Sequence, residues 1–300
     1  MEPTSENHNL LVFILIIFAL EAILFSVGND KLNFAFITGE SKLVKIQNIF
    51  ADIPVEAKAF SIYDQTLDRK IYGKNDGTEM PIASLAKIMT VITALNGRQQ
   101  DEVASISLEA IGQETDYGFF VNEKFRVKDL AEFTLVGSSN DGAYALAENT
   151  ENFLQKINDK ARKIGMENTL FFNSTGLDID DGFAGAYASA QDVNVMNVYA
   201  LRKYPDVFSA TVMPEMKIES ESGFSHSVKN TNAILDKIPN LLFSKTGLTP
   251  LAGGNLAVIY KNKYGHDIAI TILGSTSEGR FSDMEKIIDT LYNSDYGSPN

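Results

Sequence analysis

Ser84 and Lys87 stand three residues apart in the stretch Ser84-Leu85-Ala86-Lys87. On a helix that spacing puts both side chains on one face, with β-carbons about 5–6 Å apart, so the amine can reach the hydroxyl. A serine hydroxyl is a weak nucleophile until a base takes its proton, and an uncharged amine can be that base. Burial and a second cation nearby would both strip Lys87 of its charge near neutral pH. A buried helix entrance adds backbone N–H groups and a positive dipole end. The pattern alone carries little weight, because Ser-x-x-Lys arises about once by chance in a chain of this size. Ser84 would then be an ordinary cap residue.

Two further clusters bear on the same chemistry. Ser138-Ser139-Asn140 lies between the helical stretches LAEFTLVG and DGAYALAE. Its plain role is capping, and Ser-x-Asn also occurs at Ser5-Glu6-Asn7, where it has no sensible use. Lys245-Thr246-Gly247 precedes a predicted strand hairpin, and chance would supply that tripeptide about 0.1 times per chain. At a sheet edge it would offer a cation, a hydroxyl and a glycine that lets a ligand approach the backbone closely. Otherwise it is a β-turn.

The elements that must hold these clusters follow from periodicity. AKAFSIYD (57–64) and RKIYGKN (69–75) alternate as a β-hairpin around a turn at QTLD. Ile82, Leu85, Ile88, Met89, Ile92 and Leu95 recur at helical spacing, so a helix is predicted over 82–95, ended by Gly97. Further helices are predicted at about 127–136, from Asp141 to Ala147 or beyond, at 154–164 before Gly165, and at 190–204 before Pro205. Residues 255–275 read as two β-branched runs around a Lys-Tyr-Gly-His turn, followed by a last helix over 284–292. A hairpin, helices, then a hairpin and a helix is not a βαβ alternation. The expected class is α+β with an antiparallel sheet.

Composition narrows the function classes. The chain has 300 residues, 44% hydrophobic and 22% charged, which is ordinary for a globular protein able to bury a sizeable core. Lys plus Arg is 26 and Asp plus Glu is 39, a net charge of −13 that argues against nucleic acid as a partner. With no cysteine and only His8, His226 and His266, thiol nucleophiles, disulfides and multi-histidine metal sites are not expected. His266 falls in the predicted turn and His226 in a polar loop, so both read as solvated. Asp178-Ile179-Asp180-Asp181 lacks EF-hand spacing and reads as a loop.

Leu10 to Gly28 is apolar all round apart from Glu21. At 1.5 Å per residue it is about 28 Å long, close to the thickness of a hydrocarbon core. Residues 1–30 are therefore expected to be a membrane anchor or signal segment, with 10–28 in a lipid bilayer. Glu2 and Glu6 precede it while Lys31, Lys42 and Lys45 follow, the reverse of the positive-inside pattern for an exported domain. The expected division is then a linker at 31–55, one catalytic domain at 56–294 and a frayed tail at 295–300.

Taken together, Ser-x-x-Lys, Ser-x-Asn 54 residues on, and Lys-Thr-Gly 107 further on resemble the active-site serine penicillin-recognising enzymes. Longer stretches narrow the resemblance to the D-alanyl-D-alanine carboxypeptidases, the low-molecular-mass penicillin-binding proteins of serine peptidase family S11. These are AKAFSIYDQTLDRKIYGKNDGTEMPIASLAKIMT, LVGSSNDGAYALAE, IGMENTLFFNSTGLD with YASAQDV, and FSKTGLTPLAGGNLAV, and the likeness covers about 57–292. It implies a β-lactamase/DD-peptidase-like α+β fold, an antiparallel sheet flanked by helices. Here a hydrophobic N-terminal helix would precede it.

The resemblance also implies roles. Ser84 would be the acyl-ester nucleophile and Lys87 its proton acceptor. Ser138 would relay a proton to the leaving amine, and Asn140 would orient the substrate and Lys87. Lys245, Thr246 and Thr249 would bind the terminal carboxylate, with Gly247 between them. The N–H groups of Ser84 and Leu248 would form the oxyanion hole. The substrate would be a peptidoglycan stem peptide ending in D-Ala-D-Ala, β-lactams would be covalent inhibitors, and neither metal nor organic cofactor would be needed. The domain would work outside the cytoplasm at the cell membrane.

Many relatives carry Gly where Ser139 stands and His where Leu248 stands, so altered rate or specificity is expected. The family's C-terminal β-domain and amphipathic anchor are not expected here, which leaves the N-terminal segment as the tether. Three other readings stay open: a class A-like β-lactamase, a DD-endopeptidase, and a non-catalytic wall-binding protein. Against the first, Glu148, Glu151, Glu167, Glu215, Glu219 and Glu221 all lack a Glu-x-x-Leu-Asn context. Against the last, Ser84, Lys87, Ser138 and Lys245 are all intact.

Overall fold

The computed structural model describes residues 43–115 and 117–298, so the apolar stretch 10–28 lies outside the described residues. No helix among the described residues is long and apolar enough to cross a membrane. The first element is a helix, α1, over 43–51. It falls inside the expected linker, yet Ile46 and Phe50 are buried in a core cluster with Phe60, Ile62 and Ile71. That part of 31–55 is folded onto the domain.

The N-terminal hairpin forms as β1 (Ala59–Asp64) and β2 (Arg69–Lys74). Its turn is held by Asp64, whose Oδ1 accepts from the N–H groups of Thr66 and Leu67 at 2.9 and 3.0 Å. A short β3 (Met80–Pro81) leads into a 3-10 turn, Ala83–Leu85, and then α2 (Ala86–Gly97). The predicted helix over 82–95 thus starts later than its apolar spacing suggests. Ala83 sits at φ 48°, a left-handed conformation that an α-helix cannot include. Every residue of α2 from Ala86 to Leu95 is buried, the polar Lys87, Thr90 and Thr93 included, so the helix runs through the centre of the core and not along its surface.

The helical half follows. It comprises β4 (Val103–Ser105), α3 (Leu108–Ile111), β5 (Lys124–Arg126), α4 (Val127–Gly137), α5 (Asn140–Glu148) and α6 (Phe153–Lys163). After it come β6 (Thr169–Phe171), β7 (Ala186–Ala188), α7 (Ala190–Lys203), α8 (Pro205–Phe208) and a small hairpin, β8 (Glu215–Glu219) with β9 (Ser225–Lys229). The chain ends in β10 (Leu241–Thr249), β11 (Gly253–Lys261), β12 (Asp267–Ser275) and α9 (Gly279–Asn293). The helix predicted over 284–292 therefore begins five residues earlier and takes in Arg280.

The main sheet is antiparallel, in the order β10-β11-β12-β1-β2. Strand alternation divides its side chains between two cores. Ala257, Ile259, Ala269 and Leu273 face the cluster built on α2 and α7. Leu256, Val258, Ile270 and Ile272 face the cluster of α1 and α9. β10 is the edge strand on the other side of the sheet from β2, and its Ser244 N–H donates to the Thr211 hydroxyl at 3.1 Å. Tyr296, expected in a frayed tail, is buried and donates its hydroxyl to Asp64 at 2.8 Å.

Candidate active site

The nucleophile turn is built by close approach. Ala83 turns left-handed just before Ser84, and Gly176 and Gly247 pack against that turn from two sides. A β-carbon on Gly176 would lie 1.9 Å from the Ala83 carbonyl oxygen, and one on Gly247 would lie 2.8 Å from that of Ile82 and 3.3 Å from the Ser84 nitrogen. Only glycine permits either contact. Asn255 ties the same segment to the sheet, donating from Nδ2 to the Pro81 carbonyl at 3.1 Å.

Lys87 rises from the first turn of α2 with its amine wholly buried. Nζ lies 2.7 Å from Ser84 Oγ and donates to the Thr175 carbonyl at 2.7 Å. Burial, and secondarily the charge of Lys245, pull its pKa well below the ordinary lysine value. An uncharged amine donates to Thr175 while its lone pair faces the serine proton. Thr90 braces the same loop, its hydroxyl donating to the Ser174 carbonyl at 2.7 Å.

Ser138 caps α4 at φ 62°, and its hydroxyl accepts from Lys245 Nζ at 2.8 Å. Lys245 is buried in β10, and burial followed by the nearby Arg280 charge lower its pKa to about 7. Asn140 Nδ2 donates to the Glu114 carbonyl at 2.6 Å, and its buried Oδ1 has no hydrogen-bond partner among the described residues. Its side chain thus holds the Glu114 backbone, a contact the spacing of the motif did not foretell. The Thr246 hydroxyl meets that of Thr231, and Leu248 is 48% exposed at the strand edge. The Thr249 hydroxyl donates to Asp178 at 2.9 Å, which commits it to the end of β10.

The three motifs therefore converge: Ser84 from the 3-10 turn and Lys87 from the start of α2, Ser138 and Asn140 from the α4–α5 junction, and Lys245 to Thr249 from β10. A groove of about 500 Å³ adjoins them, lined by Glu114, Tyr144, Glu148, Phe172, Thr175 and Asp178 among others. That groove touches the motifs only through Thr175, Glu114 and Asp178, the hydrogen-bond partners of Lys87, Asn140 and Thr249, whereas another cavity, about 430 Å³ between β1 and α7, lies away from them.

Three participants were not visible from residue type. Arg280, buried at the start of α9, donates to the Gly247 carbonyl at 2.8 Å and adds a second cation beside Lys245. The Thr175 carbonyl and the Gly176 turn act through backbone, and only the NSTG string hinted at a tight turn. Both histidines depart from the solvated reading. His226 is 7% exposed and its Nε2 lies 2.9 Å from Glu123 Oε1, while His266 Nδ1 lies 2.8 Å from Asp64. No cluster of metal-ligating side chains occurs among the described residues.

Comparison with known proteins identifies the family. The family model for D-alanyl-D-alanine carboxypeptidase matches residues 46–277. The D-alanyl-D-alanine carboxypeptidase DacF of Bacillus subtilis (strain 168) is 27% identical over 252 residues, covering 81% of this chain and 64% of that protein. A D-alanyl-D-alanine endopeptidase of Pseudomonas aeruginosa is 28% identical over 218 residues, covering 68% of each. The chain thus spans about two thirds of the length of these relatives. Among solved structures, penicillin-binding protein D2 of Listeria monocytogenes in its ampicillin-bound form is 28% identical, with a TM-score of 0.66 over 80% of this chain and 98% of that one. The Streptomyces K15 DD-transpeptidase, 23% identical with a TM-score of 0.72, covers 80% of this chain and 98% of its own, and shares the fold. By a match extending over more than half its length, this chain belongs to the D-alanyl-D-alanine carboxypeptidase family of serine peptidases.

Proposed function

We propose that the protein is a serine-type D-Ala-D-Ala carboxypeptidase that removes the terminal D-alanine from peptidoglycan stem peptides through an acyl-enzyme. The observation that carries this reading is the 2.7 Å approach of a fully buried, charge-depleted Lys87 amine to Ser84 Oγ.

The stem peptide lies along the free edge of β10 with its C-terminal carboxylate towards Lys245, Thr246 and Arg280. Lys87 takes the Ser84 proton as Oγ attacks the penultimate carbonyl carbon. The N–H groups of Ser84 and Leu248 hold the oxyanion, and the close pass of β10 at Gly247 is what brings them together. As the C–N bond breaks, the leaving amine takes a proton relayed from Lys87 through the Ser138 hydroxyl. Asn140, braced by the Glu114 carbonyl, orients the substrate and Lys87. Water then cleaves the ester, returning Ser84 and releasing the shortened peptide. Thr249 contributes by fixing the end of the strand through Asp178. A β-lactam enters by the same attack and is held as the ester.

Residues 1–30 serve as anchor or signal, with 10–28 in the bilayer and the catalytic unit on the outer side of the cell membrane. That unit takes in α1. The endopeptidase relative favours a second reading, in which the same centre cuts D-Ala-containing cross-links. Mass spectrometry after incubation with a penicillin and with a D-Ala-D-Ala pentapeptide tests the main one. We expect one penicilloyl adduct, absent from Ser84→Ala, and loss of a single alanine from the peptide. An unmodified wild-type protein, or an adduct retained by Ser84→Ala, would overturn the assignment. Cleavage of a cross-linked dimer with the pentapeptide untouched would replace it with the endopeptidase.

A further inference from the structure

A buried polar pair outside the chemistry above lies behind the second motif. The chain between β4 and β5 makes a long excursion whose base is closed by backbone bonds between Ile106 and both Asn122 and Glu123, each 2.8 Å. Glu123 is buried inside it. One of its oxygens accepts from the Phe120 N–H at 2.7 Å, and the other lies 2.9 Å from His226 Nε2 on β9. The His226 ring sits among Phe119, Phe120 and Phe125, with centroids 4.9, 6.3 and 5.7 Å away. A buried carboxylate in such apolar company persists only where its hydrogen bonds are met, so the pair fixes the excursion to the β8–β9 hairpin.

The same excursion grips the second motif twice. The Tyr117 hydroxyl donates to the Ser138 carbonyl at 3.1 Å, and the Glu114 carbonyl accepts from Asn140 Nδ2 at 2.6 Å. Burial, helped by Asp141, pushes the phenol up to about 12, so it stays a donor. Ser138 needs holding, because a non-glycine residue at φ 62° is in an unfavourable conformation that its surroundings must impose. Its own hydroxyl is meanwhile aimed at Lys245.

We propose that Tyr117, Glu123 and His226 are positioning residues: the buried Glu123–His226 pair fixes the excursion, and the excursion fixes the Ser138-Ser139-Asn140 turn through the Tyr117 hydroxyl and the Glu114 carbonyl. This rests on the acyl-enzyme reading above. None of the three touches Ser84 or Lys87. Tyr117→Phe deletes one hydrogen bond and little volume. Its rate of acylation by a fluorescent penicillin falls about 3–12-fold, and kcat for alanine release falls alike with KM within about twofold, from the usual worth of one such bond. His226→Gln, which keeps a donor for Glu123, stays within about twofold of wild type, whereas His226→Leu loses at least as much as Tyr117→Phe. Thermal melting of each variant corrects for the folded fraction, and if His226→Leu does not fold, Tyr117→Phe and His226→Gln decide. A folded Tyr117→Phe acylated at the wild-type rate, or a folded His226→Gln as slow as Tyr117→Phe, overturns the proposal. A wild-type chain that takes no label overturns the acyl-enzyme reading instead, and this one with it.

Discussion

Lys245 is where a proton and the substrate carboxylate depend on each other. Burial is the larger cause of its lowered pKa and the Arg280 charge the smaller, and together they bring it to about 7 against an ordinary 10.5. The sign follows directly. In the free enzyme the ammonium exists below that value and is lost above it, and only the ammonium can grip a carboxylate. At pH 8 about 10% of free enzyme would carry the charge and at pH 9 about 1%, so kcat/KM should fall roughly tenfold per pH unit on the alkaline side. Lys87 sets the opposite limb, since it must be neutral to act and activity is lost as pH falls through its lowered value. The assay is kcat/KM for a D-Ala-D-Ala pentapeptide from pH 6 to about 9.5, beside the same peptide capped as a C-terminal carboxamide. The acid form should show the alkaline limb and the amide should be slow without it. Arg280→Gln should move the limb to higher pH but leave it below 10.5, because burial remains. A flat profile between pH 7 and 9, or the same limb in the amide, would refute the reasoning.

Two further predictions address how the centre is built. In Gly247→Ala the new β-carbon meets the Ile82 carbonyl at 2.8 Å and the Ala83 β-carbon at 3.2 Å, so β10 or the nucleophile turn must shift. Stopped-flow penicillin labelling should slow roughly 100-fold while overpacking costs about 1–3 kcal/mol in a urea melt. Phe50→Ala should destabilise the domain by about 3–5 kcal/mol in the same melt and leave the labelling rate of folded protein nearly unchanged. A loss below about 1 kcal/mol would instead return α1 to the role of a tether.

The motif residues could be read because each cluster carries its chemistry in three or four consecutive positions, and its helix or hairpin announces itself through period. What bound them together could not. Arg280 lies before the helix predicted over 284–292, and its meeting with Gly247, 33 residues away, exists only once β10 and α9 are packed together. Thr175 works through a carbonyl, which no residue type reveals. Glu123 and His226 are separated by 103 residues, and the charged residues closer to each, Lys124 and Lys229 among them, give no sign of the pairing. The start of α2 was placed too early because apolar spacing is blind to backbone handedness, and the left-handed turn at Ala83 rests on contacts with distant glycines. α1 is hard to read because Leu43, Ile46 and Phe50, which do step by three and four, share a nine-residue segment with the exposed Val44 and Ile49, which blur the stripe.

The main sheet joins the two ends of the domain, with Ala59 on β1 opposite Leu273 on β12. During synthesis the leading hairpin must therefore wait, with one edge unsatisfied, until the last strand has left the ribosome. Ser84 acquires its brace at Gly247 only in that same late stage, so a partly made chain cannot mature into a competent hydrolase. Such long-range closure slows folding and exposes an adhesive edge meanwhile. C-terminal truncations ending before β12 should accordingly accumulate as aggregates.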